Sequence, residues 1–215
     1  SWVLKMPLLD KVVLNKIRET LVNAFGGEFS EIIIGGAPLN AEVEAFLKRL
    51  KFPLTVGYGM TETAPLISFA HWDKFKSQSC GQVLDGLMEV RIASPDGDGV
   101  GEIQVRGEHV MLGYYKNEQA TKESFTEDGW LRTGDLGTVD ADGFIYIKGR
   151  CKTMLLGASG QNIYPEEIEA KINNMPYVLE SLVLQKDTKL VALVCPDFEA
   201  VDADHLTQTQ LEVLM

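Results

Sequence analysis

The sequence predicts a mixed α/β chain: an α/β layer, then a β-rich stretch, then the start of a second, smaller α+β domain. Three observations carry this. A strand–helix–strand order occupies residues 31–57. Short strand-like runs alternate with Asp-Gly dipeptides from Gly81 onward, and beyond Gly149 a Pro-Glu-Glu helix start precedes a hairpin pattern. The predicted boundaries are 1–149 for the larger domain, with 1–80 as the α/β layer and 81–149 as a small antiparallel β-barrel or distorted sheet, and 150–215 for the first part of the smaller one.

Leu9, Val12, Val13, Ile17, Leu21, Val22 and Phe25 keep helical spacing, and Gly26-Gly27 stops that helix. Glu31-Ile32-Ile33-Ile34, bounded by glycines, reads as a buried strand. Asn40 can cap a helix over 41–50, and Leu54 to Gly57 reads as the next strand, so the two strands are expected to be parallel. Strand-like runs follow at Met88 to Ala93, Gly101 to Arg106, Leu136 to Val139 and Phe144 to Lys148, punctuated by Asp96-Gly97, Asp98-Gly99, Asp128-Gly129 and Asp142-Gly143. A short helix is expected over Ala120 to Phe125 and a strand over Lys152 to Leu156. Pro165 with Glu166-Glu167 opens a helix to about Asn173, its acids near the positive dipole end. Ser181 to Gln185 and Lys189 to Cys195 form a predicted hairpin, and the tail from Thr207 reads as one more helix.

The 215 residues, 45% of them apolar, suffice for a substantial core. With 20 basic and 31 acidic residues the net charge is −11, which argues against sequence-independent nucleic-acid binding and against a simple electrostatic membrane anchor. No apolar run approaches the roughly 20 residues of a membrane span, and the N-terminus lacks the pattern of a signal peptide. Cys80, Cys151 and Cys195 are scattered and lack CxxC spacing, so neither a disulfide framework nor a zinc site is expected. A cytoplasmic location follows as the expectation, with peripheral membrane association left open.

Four segments could carry chemistry. Gly57-Tyr58-Gly59-Met60-Thr61-Glu62-Thr63 follows a predicted strand. Ligands in open α/β sheets sit at the carboxyl ends of strands, and glycines allow close backbone approach. Tyr58 can face a purine, Thr61 can donate to a phosphate, and Glu62 offers a hard oxygen suited to Mg²⁺. A glycine-rich turn with a solvated Glu is the structural alternative. Gly35-Gly36-Ala37-Pro38 is a second strand-to-helix turn, which taken alone reads first as tight packing. In Thr133-Gly134-Asp135 the carboxylate can accept from vicinal ribose hydroxyls, or it can be a β-turn Asp. Gly149-Arg150-Cys151-Lys152, followed by Ser159 to Glu167, places two cations at the expected domain junction, where surface salt bridges would also account for them. His71, His109 and His205 are too dispersed for a metal cluster.

Taken in order, these segments resemble the adenylate-forming (AMP-binding) superfamily of acyl-CoA synthetases, luciferases and peptide-synthetase adenylation domains. The most specific stretch runs from Gly101-Glu102-Ile103-Gln104-Val105-Arg106-Gly107 through Gly113-Tyr114-Tyr115 to Asp128-Gly129-Trp130-Leu131-Arg132-Thr133-Gly134-Asp135-Leu136-Gly137. It continues through Asp142-Gly143 and Gly149-Arg150 to Pro165-Glu166-Glu167-Ile168-Glu169. Gly36-Ala37-Pro38-Leu39 and Gly160 to Glu167 look most like bacterial long-chain fatty acyl-CoA synthetases. The resemblance implies a ligase that makes acyl-AMP from ATP and a fatty acid and then a thioester with coenzyme A. It implies an adenine pocket lined by Gly36, Ala37 and Pro38, with Tyr58 stacked on the base and Gly59 and Met60 beside it. Thr61 would bond the α-phosphate, Glu62 would hold Mg²⁺, and Asp135 would hold the ribose. Arg150 would contact ribose or phosphate, Lys152 would be the hinge of the small domain, and Ser159, Gly160, Gln161 and Asn162 would form a loop on the coenzyme A side.

Two parts of the family pattern have no counterpart: the phosphate loop upstream of Gly35, and a late catalytic Lys, since no Lys or Arg follows Lys189. The chain is therefore expected to be a piece from the C-terminal part of a longer synthetase and to be inactive alone. Its exposed edges would leave a homodimer open. A non-catalytic nucleotide-binding or partner-docking module and an aryl- or amino-acid-adenylating enzyme are the alternative readings.

Overall fold

Apolar residues at helical spacing close α1 over Pro7–Ala24, and the Gly27 N–H, donating to the Val22 carbonyl at 2.9 Å, ends it. In the computed structural model of the chain, residues 7–36, 39–157, 159–187, 189–207 and 210–211 are described. β1 (Ile32–Ile34), α2 (Ala41–Arg49) and β2 (Leu54–Val56) follow, with β1 and β2 parallel in the register Ile32–Leu54 to Ile34–Val56. Asn40 caps α2: its Oδ1 accepts from the backbone N–H of Glu42 (2.9 Å) and Val43 (3.2 Å). Glu44 is buried in α2, yet both its oxygens are satisfied by the Gln78 backbone N–H (3.1 Å each), with the Gln78 amide at 2.8 Å.

A second sheet then forms from β3 (Tyr58–Gly59), β4 (Leu66–Phe69) and β5 (Gln82–Val83), antiparallel throughout. Strands of two to four residues leave no readable alternation, so this sheet has no clear signature in the sequence.

β6 (Met88–Ala93), β7 (Gly101–Gly107), β8 (Leu131–Val139) and β9 (Ile145–Arg150) form a four-stranded sheet in chain order, with α3 (Glu118–Ser124) between β7 and β8. Ile103 and Val105 of β7 pack with Leu131, Ile145, Met88, Ile67 and Tyr58 in one apolar cluster. Beside it, Trp130 lies 4.6 Å from the guanidinium carbons of both Arg91 and Arg106. The expected small barrel is not closed among the described residues. β5 pairs with β4 instead, and β6 and β9 are the outer strands of the four-stranded sheet; an isolated bridge from Gln82 to Phe144, with Cys80 N–H to the Ile145 carbonyl (2.7 Å) and Ile145 N–H to the Gly81 carbonyl (3.0 Å), joins the two sheets.

The rest of the chain comprises β10 (Leu155–Leu156), β11 (Asn162–Ile163), α4 (Pro165–Ile172), β12 (Val178–Lys186), β13 (Lys189–Pro196) and α5 (Phe198–Ala203). The strand expected over Lys152 to Leu156 is cut to β10, because Thr153 N–H and Met154 N–H turn back onto the Arg150 carbonyl (3.2 and 3.1 Å). α4 is joined to the β12–β13 hairpin by the Val183 N–H, which donates to Glu169 Oε1 at 2.7 Å. Asp197 caps α5, an element the sequence reading lacks; most of the helix expected after Thr207 lies outside the described residues.

By contacts the chain forms two compact units. One is Ser1–Thr133 with Gly137–Ile147; the other is Gly134–Leu136 with Lys148–Met215. No helix among the described residues is long and apolar enough to cross a membrane.

Candidate functional site

In the first unit, the carboxyl ends of β1 and β2 lie side by side. The Gly57 N–H donates to the Ile34 carbonyl at 2.9 Å, so the turn at Gly35 and Gly36 adjoins the start of the Tyr58–Glu62 segment. Two of the four motif segments are thereby brought to the sheet end where α/β folds bind ligands. Ala37 and Pro38 lie outside the described residues.

The segment itself is tightly built. Gly59 faces the Pro65 carbonyl so closely that a Cβ there would overlap it, which is the physical reason for glycine at this position. Met60 N–H donates to the Pro65 carbonyl (2.8 Å). Thr63, fully buried in the 3₁₀ turn Thr61–Thr63, accepts from Met60 N–H at 3.2 Å and donates to the Pro65 carbonyl at 2.5 Å. The turn holds Thr61 exposed and Glu62 half-buried. Tyr58 is 7% exposed and belongs to the apolar cluster, so little of its ring is open.

Glu62 has a partner to which the sequence reading gives no role. Tyr114 Oη donates to Glu62 Oε1 at 2.7 Å, and the Met111 N–H donates to the Glu62 carbonyl at 2.8 Å. Chiefly through that hydrogen bond to the carboxylate, then through burial, the Tyr114 phenol is pushed above the ordinary tyrosine pKa. Its signal is the Gly113-Tyr114-Tyr115 motif, which spacing alone does not connect to a residue 52 positions away.

In the second unit, Asp135 lies inside β8 rather than in a β-turn. Gly134 takes φ +74° within the strand, a kink that an L-side chain would resist, and its carbonyl accepts the Cys151 N–H at 2.8 Å. This sets the end of β9 beside Asp135, and Arg150 Nε reaches Asp135 Oδ1 at 3.2 Å. Asp135 is buried while the Arg150 side chain is 70% exposed. With the Arg150 side chain in solvent, the contact leaves the Asp135 carboxylate able to accept a further donor such as a ligand hydroxyl. Lys152 follows in an exposed turn. Ser159, Gly160 and Gln161 occupy the β10–β11 loop, closed by Gly157 N–H to the Gln161 carbonyl (2.8 Å), and Asn162 opens β11, paired with Leu156.

Glu166, at the start of α4, accepts from Thr153 Oγ1 at 2.5 Å, and a Cβ on Gly149 would meet its other oxygen at 2.7 Å. Lys148 pairs with Glu167 at 2.8 Å. The turn at residues 151–153 is thus tied to the helix start. The Glu166-Glu167 pair, which the sequence offers only as a dipole complement, has this second use.

Comparisons with known proteins bear on the family. Over 199 residues the chain is 36% identical to the long-chain-fatty-acid–CoA ligase FadD15 of Mycobacterium bovis, covering 92% of this chain and 31% of that protein. Over 203 residues it is 32% identical to the human long-chain-fatty-acid–CoA ligase ACSBG1, covering 94% of this chain and 28% of the relative. The chain thus spans about a third or less of the length of these curated relatives. Among solved structures, the O-succinylbenzoate coenzyme A synthetase of Bacillus subtilis, in complex with ATP and magnesium ion, superposes with a TM-score of 0.68 at 30% identity. That match covers 89% of this chain and 45% of the other. ATP-bound MatB from Rhodopseudomonas palustris gives 0.66 at 29% identity, over 84% of this chain and 40% of that one. The profile of the AMP-binding enzyme family matches residues 7–115, the stretch that contains the Gly36 turn, the Tyr58–Glu62 segment and Tyr114, and the chain belongs to that family.

Proposed function

We propose that the chain carries the nucleotide-binding part of an ATP-dependent long-chain fatty acid–CoA ligase, an enzyme that joins a fatty acid to AMP and then passes the acyl group to the thiol of coenzyme A. The observation that carries this reading is the Tyr58–Glu62 segment, held at the carboxyl ends of parallel strands beside the Gly36 turn. In this reading Gly36, Ala37 and Pro38 line the adenine pocket, and Tyr58 stacks on the base. Gly59 and Met60 bring the backbone close, Thr61 donates to the α-phosphate, and Glu62 is the protein ligand for Mg²⁺. Asp135 accepts from the ribose hydroxyls, Arg150 binds ribose or phosphate, Lys152 is the hinge, and Ser159, Gly160, Gln161 and Asn162 serve the coenzyme A side.

The donor chemistry fits magnesium. Mg²⁺ takes hard oxygens, commonly one or two carboxylates with substrate phosphates and waters completing the shell. Glu62 supplies such a carboxylate, and no group of three or more His, Cys, Asp or Glu side chains among the described residues offers a closed protein cage. When bound, Mg²⁺ supplies neutralising charge for the departing pyrophosphate. The chain's own residues do the positioning. Thr61 and the backbone at Gly59 fix the reacting phosphate, and Asp135 fixes the sugar, so that a carboxylate nucleophile, which needs no deprotonation at neutral pH, attacks in line.

A fatty acid is favoured because the curated relatives are named long-chain-fatty-acid–CoA ligases. The fold likeness to an O-succinylbenzoate synthetase supports an aryl acid as the second reading. A cytoplasmic location is part of the proposal. The test is thioester formation by the complete gene product across acids of graded length. A maximum at long-chain fatty acids supports the proposal. Turnover confined to aryl or amino acids would move the assignment to the second reading, and no turnover with any acid would favour a non-catalytic module.

A further inference from the structure

The Tyr114 contact with Glu62 is part of a longer chain of bonds. Asn117 caps α3, its Oδ1 accepting the Ala120 N–H at 3.1 Å. Thr121, on α3, donates to the Asn117 carbonyl (2.9 Å) and accepts the Tyr114 N–H (2.9 Å). Tyr114 then reaches across to Glu62 Oε1 (2.7 Å), while the Met111 N–H grips the Glu62 carbonyl (2.8 Å). Both the backbone and one carboxylate oxygen of Glu62 are therefore fixed from the loop before α3.

We infer that Tyr114 is a positioning residue that holds the Glu62 carboxylate ready for a divalent cation; the inference rests on the reading of Glu62 as the cation ligand. A glutamate side chain has three rotatable bonds, and freezing them on metal binding opposes the binding. The phenol does that freezing in advance. A carboxylate has about four acceptor positions, so one O–H leaves capacity for a cation. Groups that orient a metal ligand in this way typically change metal affinity 10–100-fold when removed. The alternative, that Tyr114 merely staples the loop, predicts unchanged cation affinity when the hydroxyl is removed.

The experiment uses the complete gene product, Mn²⁺ as the paramagnetic probe and a non-hydrolysable ATP analogue, with bound Mn²⁺ read by electron paramagnetic resonance. Tyr114→Phe is expected to raise the Mn²⁺ dissociation constant about tenfold with little change in thermal midpoint. In turnover it should raise the Mg²⁺ concentration for half-maximal rate, with kcat restored at saturating Mg²⁺. Thr121→Ala, which releases the Tyr114 backbone but keeps the phenol, should shift Mn²⁺ affinity the same way by about threefold, and it carries the test if Tyr114→Phe loses its thermal transition. Glu62→Gln is the control. If it weakens Mn²⁺ binding while both other variants leave it within twofold of wild type, the positioning role is overturned and the ligand reading stands. If Glu62→Gln itself leaves Mn²⁺ binding unchanged, the ligand reading fails, and the inference with it.

Discussion

Arg91 donates to both oxygens of Asp128, at 2.6 and 3.0 Å, and shares the Trp130 ring with Arg106, which in turn pairs with Glu89 at 2.8 Å. The Arg91 hydrogen bonds, and after them one from Thr126, hold the Asp128 carboxyl well below the usual carboxylate range. A depressed folded-state pKa gives stability that is complete above the unfolded value, near pH 4, and is lost as pH falls through the folded value. Asp128→Asn should therefore lower the urea midpoint at neutral pH, and its difference from wild type should narrow steadily below about pH 4. A difference that stays constant down to pH 2 would contradict this. At this scale the proposed site is partly legible in the sequence. Tyr58, Thr61 and Glu62 fall within one five-residue segment, so a joint role can be proposed from it, and Asp135 is flagged by its glycine. Tyr114 was not assignable, because a hydrogen bond spanning 52 positions leaves no local pattern.

Among the elements, the helices and longer strands announce themselves. Asn40 is a capping residue by type and caps α2 in fact; Asn40→Ala should cost about 1 kcal/mol of unfolding free energy in denaturant titration, and no measurable loss would refute the capping role. The β3–β4 hairpin is different. Two residues of β3 and the bulge between Tyr58 and Gly59 carry no alternation, so only the close approach of Gly59 to Pro65 reveals why the chain turns there. Gly59→Ala should destabilise the first unit by about 1–3 kcal/mol, since a Cβ meets backbone rather than a movable side chain; a stable, unshifted variant would show that the hairpin tolerates separation. β8 hid its length for a related reason: Gly134 interrupts the run, and the Thr133-Gly134-Asp135 tripeptide reads as a turn until its neighbours on β7 and β9 are known.

At the scale of the molecule, the mixed α/β class followed from the order of elements, whereas barrel closure did not, because it depends on which strand β5 chooses as partner. Gly36, Tyr58, Thr61 and Glu62 belong to the first unit, Asp135 and Arg150 to the second. Because the 215 residues span about a third or less of their curated relatives, activity belongs to the proposal for the complete gene product. The sharpest measurement is fatty-acid-dependent exchange of labelled pyrophosphate into ATP by the complete gene product, wild type against Glu62→Ala. Exchange that requires the acid and Mg²⁺ and drops on the order of a hundredfold in the folded variant is the expected result. Exchange that is absent with every acid, or undiminished without the Glu62 carboxylate, would contradict the assignment.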